Sequence, residues 1–127
     1  MSVRVVQLGS RREAGDGLRI GTVRRPPRGV PKARLGEWYD LWLPQLAPSA
    51  ELVKTGLAAR SPREWETFVR KYRAEMAKPD TARLIALLAA LSQTADFAVG
   101  CYCEDPAHCH RSVLRELLVE NGACVTL

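Results

Sequence analysis

Asp96-Phe97-Ala98-Val99-Gly100-Cys101, the cysteine-rich run that follows to Ser112, and Val113-Leu114-Arg115-Glu116-Leu117-Leu118 leading to Asn121-Gly122 decide the fold. The apolar segment ending at Cys101 reads as a strand. The amphipathic stretch after the cysteines reads as a helix to about Glu120, and Ala123-Cys124-Val125-Thr126-Leu127 reads as a last strand. Strand, helix and strand within about 30 residues form a βαβ unit with parallel strands. The chain is therefore expected to be α/β: one domain over residues 1–127, with a mostly parallel sheet, helices packed on it and a βαβ unit at the C-terminus.

Working toward the N-terminus, Val3 to Leu8 and Leu18 to Val23 read as two further strands. Pro26, Pro27 and Pro31 end the second, because proline cannot donate to a central ladder. They leave a basic loop from Arg24 to Lys32. The aromatic segment Glu37 to Pro44 is irregular and reads as an anchored loop, and Pro48-Ser49-Ala50-Glu51-Leu52 reads as the start of a short helix ending at Gly56. Ser61-Pro62-Arg63-Glu64 is a capping box with proline at the first helical position. Trp65, Phe68, Val69, Tyr72 and Met76 then share one helical face. Pro79 breaks that helix, and Asp80 is expected to cap another from Thr81 to about Thr94. That helix is apolar around much of its girth and so is expected to lie against the sheet.

The 127 residues are 46% hydrophobic, enough to build a core without metal or disulfide staples. No apolar run approaches the roughly 20 residues that cross a bilayer, and Met1 to Val5 lacks the core of a signal peptide. The expected setting is cytoplasmic and reducing, where clustered cysteines read as catalytic or metal-binding before they read as disulfides. The net charge of +5 is uneven: residues 1–36 hold nine Lys or Arg against Glu13 and Asp16, and the remainder is slightly acidic. A local basic patch favours an anionic partner.

Cys101, Cys103, Cys109, His108, His110 and Arg111 all fall within eleven residues, at the hand-over from strand to helix. In an open α/β sheet, ligands bind in the crevice at the carboxyl ends of the strands. One reading is a thiolate site, with Cys103 as nucleophile, His110 as its base or charge partner, and Glu104 or Asp105 moving a proton. If the helix starts before Cys109, then Cys109 and His110 turn inward and Arg111 lies nearer the rim. Cys109, Arg111, Ser112 and the helix N-terminus would bind a small anionic ligand, with Arg24, Arg25 and Arg28 facing it across the crevice. Asp40, among three large rings, is a further candidate, either as a carboxylate with raised pKa or as a loop cap. A second reading takes Cys101, Cys103, Cys109 and either His108 or His110 as zinc ligands, though their spacing is compressed for a structural site. A third makes the cluster inert packing, as Cys124 is expected to be. No cofactor is required by the first or third reading. There is no Gly-rich phosphate loop, Ser-His-Asp order or H-E-x-x-H.

Two rival classes remain at this level. The basic N-terminal region, with Trp38 and Trp42 as stacking platforms, suits a nucleic-acid-binding module. The aromatic segment would equally suit a docking surface for another protein.

Several stretches together resemble a known family: Arg19-Ile20 through Arg24, Pro27-Arg28-Gly29, Trp38 to Trp42 with Asp40, Ala47 to Leu52, Trp65 with Phe68 and Tyr72, and Cys103-Glu104 with Cys109-His110-Arg111-Ser112. Their order is similar to that of domain-of-unknown-function family 488, which includes the YeaO-like bacterial proteins. The resemblance runs from about residue 18 to 122 and implies a small bacterial or archaeal α/β domain with no established activity. Strand, cysteine, loop, Arg111-Ser112 and helix also resemble, in architecture alone, the anion cradle of rhodanese-like sulfurtransferases and cysteine phosphatases. The seven residues between Cys103 and Arg111 are too many for their loop.

Overall fold

The computed structural model describes residues 1–103 and 108–126. Among these residues, three strands, β1 (Val3–Gln7), β2 (Leu18–Gly21) and β3 (Leu41–Trp42), are followed by three α-helices, α1 (Ala50–Ala58), α2 (Pro62–Met76) and α3 (Pro79–Leu91), and then by a fourth strand and helix, β4 (Phe97–Cys101) and α4 (His110–Glu120). The sheet order is β1-β4-β2-β3, and every pairing is parallel. β4 is central and fully buried, as its unbroken apolar run requires. Gly100 keeps it close to β1, since a Cβ there would run into the Val6 carbonyl oxygen.

Register divides the sheet into two faces. Val3, Val5, Ile20, Phe97 and Val99 lie on one and pack with Phe68, Tyr72, Met76, Ile85, Leu88, Val113, Leu114 and Leu118 from α2, α3 and α4. Arg4 and Arg19 lie on the other. There the loop after β1 folds back over Arg19, whose guanidinium donates to Ser10 O at 2.8 Å and to Asp16 at 3.2 Å.

The helix starts follow their sequence signals in two cases. Ser49 Oγ accepts the Leu52 N–H at the start of α1, and Ser61 Oγ accepts the Glu64 N–H at the start of α2, each with its Pro or Glu in place. α3 departs from expectation. It begins at Pro79 after Lys78, so Asp80 sits inside the first turn instead of capping it, because proline's fixed φ already suits the first helical position. Its apolar girth is only partly covered: Ile85, Leu88 and Ala89 are buried, whereas Leu87 and Leu91 are exposed.

Two strand expectations change. The aromatic segment contains β3, a two-residue edge strand held to β2 by Leu43 N–H to Gly21 O at 2.8 Å and Asp40 N–H to Arg19 O at 2.7 Å. The expected last strand is reduced to one parallel bridge from Val125 to Val3 on the outer side of β1. The closing strand of the βαβ unit is thus a single contact, and Cys124, expected in the core, is exposed. No helix among the described residues is long and apolar enough to cross a membrane.

Candidate functional site at the carboxyl edge of the sheet

Parallel strands bring all their carboxyl ends to one edge. A second buried cluster forms there from Leu8, Val23, Tyr39, Cys101 and Cys109, with Trp38 and Tyr102 against it. Beside it opens a cavity of about 440 Å³ lined by Val23, Arg24, Arg25, Pro48, Ala50, Val53, Lys54, Cys101, Tyr102, Cys103 and His110. Its position is the one expected for a ligand in an open parallel sheet.

β4 delivers Cys101, and Cys103 follows the bend at Tyr102, so that both line the cavity. Across from them, Cys109 occupies the N-cap position of α4 with extended backbone angles. The helix therefore starts after Cys109, yet Cys109 and His110 are both buried. The sulfurs of Cys101, Cys103 and Cys109 all lie within 4.8 Å of one another. Cys101 and Cys109 are in disulfide contact, with their Cα atoms 7.8 Å apart. Cys103 is unbridged and exposed.

His110 ties the three elements together. Its Nε2 lies 2.8 Å from Thr22 O and 3.3 Å from Thr22 Oγ1. A carbonyl oxygen only accepts, so Nε2 carries the proton and Nδ1 is bare. That bare nitrogen lies 3.9 Å from Cys109 Sγ. Thr22 Oγ1 in turn donates to Gly100 O at 3.0 Å, which joins the ends of β2 and β4 to α4. Burial pushes the His110 pKa down to about 4, with the Arg111 charge adding to the effect and the Thr22 bond opposing it. The imidazole is thus neutral at pH 7, an acceptor toward sulfur and not a cationic partner for it. Burial also pushes the Cys103 thiol up, and the Arg111 charge only partly offsets this. The expected lowering of the Cys103 pKa is not seen. Its charged neighbour is Arg111, while the histidine faces Cys109 instead.

The remaining expected site residues divide. Arg24 and Arg25 line the cavity, and Arg24 is fixed there by its guanidinium, which donates to Pro48 O at 3.0 Å and to Ala47 O at 3.2 Å. Arg28 is exposed and is not among the lining residues. Asp40 is a structural pin: its carboxylate takes two bonds from Arg12, at 2.9 and 3.2 Å, and the Arg19 N–H at 2.8 Å. The Arg12 guanidinium first, and the Arg19 N–H after it, hold its pKa below the usual carboxylate value despite burial, opposite to the raised value considered from sequence. Ser112 Oγ donates to Cys109 O at 2.9 Å and belongs to the first turn of α4, not to the cavity wall. Arg111, expected near the rim, is 5% exposed. Glu104 and Asp105 lie outside the described residues. His108 stacks edge-on to Trp65, with ring centroids 5.3 Å apart.

The sequence did not point to Thr22, Val53, Lys54 or Tyr102. Lys54 lies one turn into α1 from Ala50, and a helix whose start is tied to Arg24 must bring that turn to the same crevice. Trp38, a candidate stacking platform, is packed against Tyr102 with ring centroids 5.7 Å apart, and it leaves no room for a Cβ at Gly9. Trp42 donates from Nε1 to Val23 O at 2.7 Å and is partly exposed.

The family model described as DUF488-N3a, the active DUF488-N3 subclade, matches residues 3–122. The chain belongs to this family. The DUF488-N3a match begins at the first residue of β1 and ends just after α4, so it spans all four strands, where the resemblance read from the sequence began only at about residue 18. No curated protein and no solved structure matches the chain.

Proposed function

We propose that the cavity at the carboxyl edge of the sheet binds a small ligand with an apolar body and an anionic group, and that this ligand meets the Cys103 sulfur. One observation carries this reading: the same cavity is lined by three cationic side chains, by apolar groups and by Cys101 and Cys103. Arg24, Arg25 and Lys54 supply the charge. Val23, Pro48, Ala50 and Val53 supply a surface that a bare inorganic anion would leave unused, which favours a ligand with an apolar portion. Of the cluster's three sulfurs, Cys103 is the exposed one and lines the cavity, whereas Cys109 is buried behind it. Thiol-dependent chemistry on the ligand therefore falls to Cys103. The description of the subclade as active accords with a chemically equipped pocket and names no reaction.

Phenyl phosphate, an apolar ring carrying an anion, is a direct probe. Calorimetric titration should give saturable binding, and Arg25→Gln with Lys54→Gln should weaken it roughly ten- to hundredfold, as expected on losing charge-assisted hydrogen bonds. Arg24 is left intact because it also holds the loop before α1. Binding unchanged in the double variant would sink the proposal. So would binding transferred to Arg4, Arg11 and Arg12 on the far side of the sheet.

A further inference from the structure

We propose that, once reduced, Cys101, Cys103 and Cys109 form a three-thiolate site for a zinc ion whose fourth coordination position opens into the cavity. The inference deepens the ligand-binding reading, puts metal coordination in place of free-thiol chemistry at Cys103, and rests on that reading only for what occupies the fourth position. Three sulfurs from two elements, β4 with its exit and the start of α4, converge within 4.8 Å of one another. Zinc–sulfur bonds of about 2.3 Å arranged tetrahedrally hold sulfurs about 3.8 Å apart, so an ion fits among them once the disulfide is reduced and the Cys101 and Cys109 sulfurs part. The 7.8 Å between the Cys101 and Cys109 Cα atoms points the same way. It exceeds the roughly 4.4–6.8 Å that disulfides usually span, whereas an ion between two thiolates spans it readily.

The surroundings suit a charged centre of this kind. Three thiolates and Zn²⁺ sum to −1, and Arg111, two residues after Cys109 in the first turn of α4 and 5% exposed, brings a buried positive charge to the same strand-to-helix junction. Soft thiolates select zinc over magnesium or calcium. Three protein ligands with one open position are the arrangement of catalytic zinc, in contrast to the closed four-ligand sets of structural zinc. Cys101 and Cys103 line the cavity, which places the open side toward the ligand. His110 Nδ1 lies 3.9 Å from the Cys109 sulfur. The Nε2–H of the ring is fixed on Thr22 O, so Nδ1 faces Cys109 and the ring stays beside the three sulfurs without filling the fourth position. Metal binding displaces the thiol protons to solvent. Any Cys101–Cys109 disulfide must first accept two electrons and two protons, which a phosphine reductant and water supply, with the phosphine leaving as its oxide.

The test is a cobalt(II) titration of the full chain, reduced with phosphine, stripped with chelator and desalted. One equivalent should produce thiolate-to-cobalt charge transfer and the intense ligand-field bands of a tetrahedral site, and zinc should bleach them. Cys103→Ser should weaken binding at least tenfold, and Cys124→Ser should leave it unchanged. If Cys103→Ser fails to fold, alkylation of the wild type replaces it. Zinc should protect Cys101, Cys103 and Cys109 from iodoacetamide while Cys124 is modified. Absence of the charge-transfer bands, or protection that spares Cys103, overturns the proposal. Phenyl phosphate titrated into the metal-free reduced protein separates the two readings. Anion binding without cobalt bands removes the metal and keeps the ligand site, and cobalt bands without anion binding do the reverse.

Discussion

Arg19 exposes none of its surface, yet its guanidinium is held by Asp16 and by the carbonyls of Ser10 and Arg11, while Arg4 reaches the second Asp16 oxygen at 3.1 Å. This network covers the sheet face opposite the helices. Removing one member of a buried ion pair leaves its partner's charge uncompensated, so Asp16→Ala should cost on the order of 3 kcal/mol in urea unfolding. Burial alone would raise the Asp16 pKa, but the Glu13 N–H, Arg19 and Arg4 outweigh it and hold it below 3.8. A depressed folded pKa contributes stability above the unfolded value, and that stability is lost as pH falls through the folded value. The stability difference between wild type and Asp16→Asn should therefore be constant near neutrality and narrow below about pH 3.8. A gap that persists at pH 2 would mean that the carboxylate charge is not what matters. At this scale the sequence was a partial guide. The crowding of cysteines with His110 and Arg111 was visible, because residues close in sequence at a strand end remain close in space. Lys54 and Thr22 were not, because they reach the cavity only through the docking of α1 and β2. The raised pKa considered for Asp40 was wrong since its partner, Arg12, stands 28 positions away, whereas its backbone-capping role is met by the Arg19 N–H.

Among the elements, the helices were the most legible, because serine caps, N-terminal prolines and a 3.6-residue apolar period are local signals. Ser61→Ala should cost about 1 kcal/mol through the unsatisfied Glu64 N–H at the start of α2, measured as a lower urea midpoint at unchanged slope. Loss of slope would point to a change in the unfolded state instead. β3 and the closing segment were not legible for the opposite reason. A two-residue edge strand and a single bridge carry no period, and their pairing is decided by what β2 and β1 leave open. β4 presents a stricter constraint. Gly100→Ala would press a methyl group against Val6 on β1 and shift the carbonyl that accepts both Thr22 N–H and Thr22 Oγ1. That substitution should disturb the His110 anchor as well as the sheet.

For the whole molecule, the all-parallel sheet does the positioning. It gathers the end of β2 with Arg24 and Arg25, the end of β4 with Cys101 and Cys103, and the starts of α1 and α4, at one edge around one cavity. The uneven charge of the chain is only partly explained by this site. Arg24 and Arg25 serve it, whereas Arg4, Arg12 and Arg19 are engaged in ion pairs on the other face. The broad site class was thus readable from the βαβ pattern, and the cavity's apolar wall was not, because Ala50 and Val53 reach it only through the docking of α1, whose capped start is legible but whose place in the fold is not. Amide chemical-shift mapping of the isotope-labelled, reduced chain during a phenyl phosphate titration tests the ligand site most directly. Shifts concentrated at Val23 to Arg25, Ala50 to Lys54 and Cys101 to Cys103, and lost in Arg25→Gln with Lys54→Gln, are the expected result. Shifts confined to Arg4, Arg11, Arg12 and their neighbours, or no shifts at all, would contradict it.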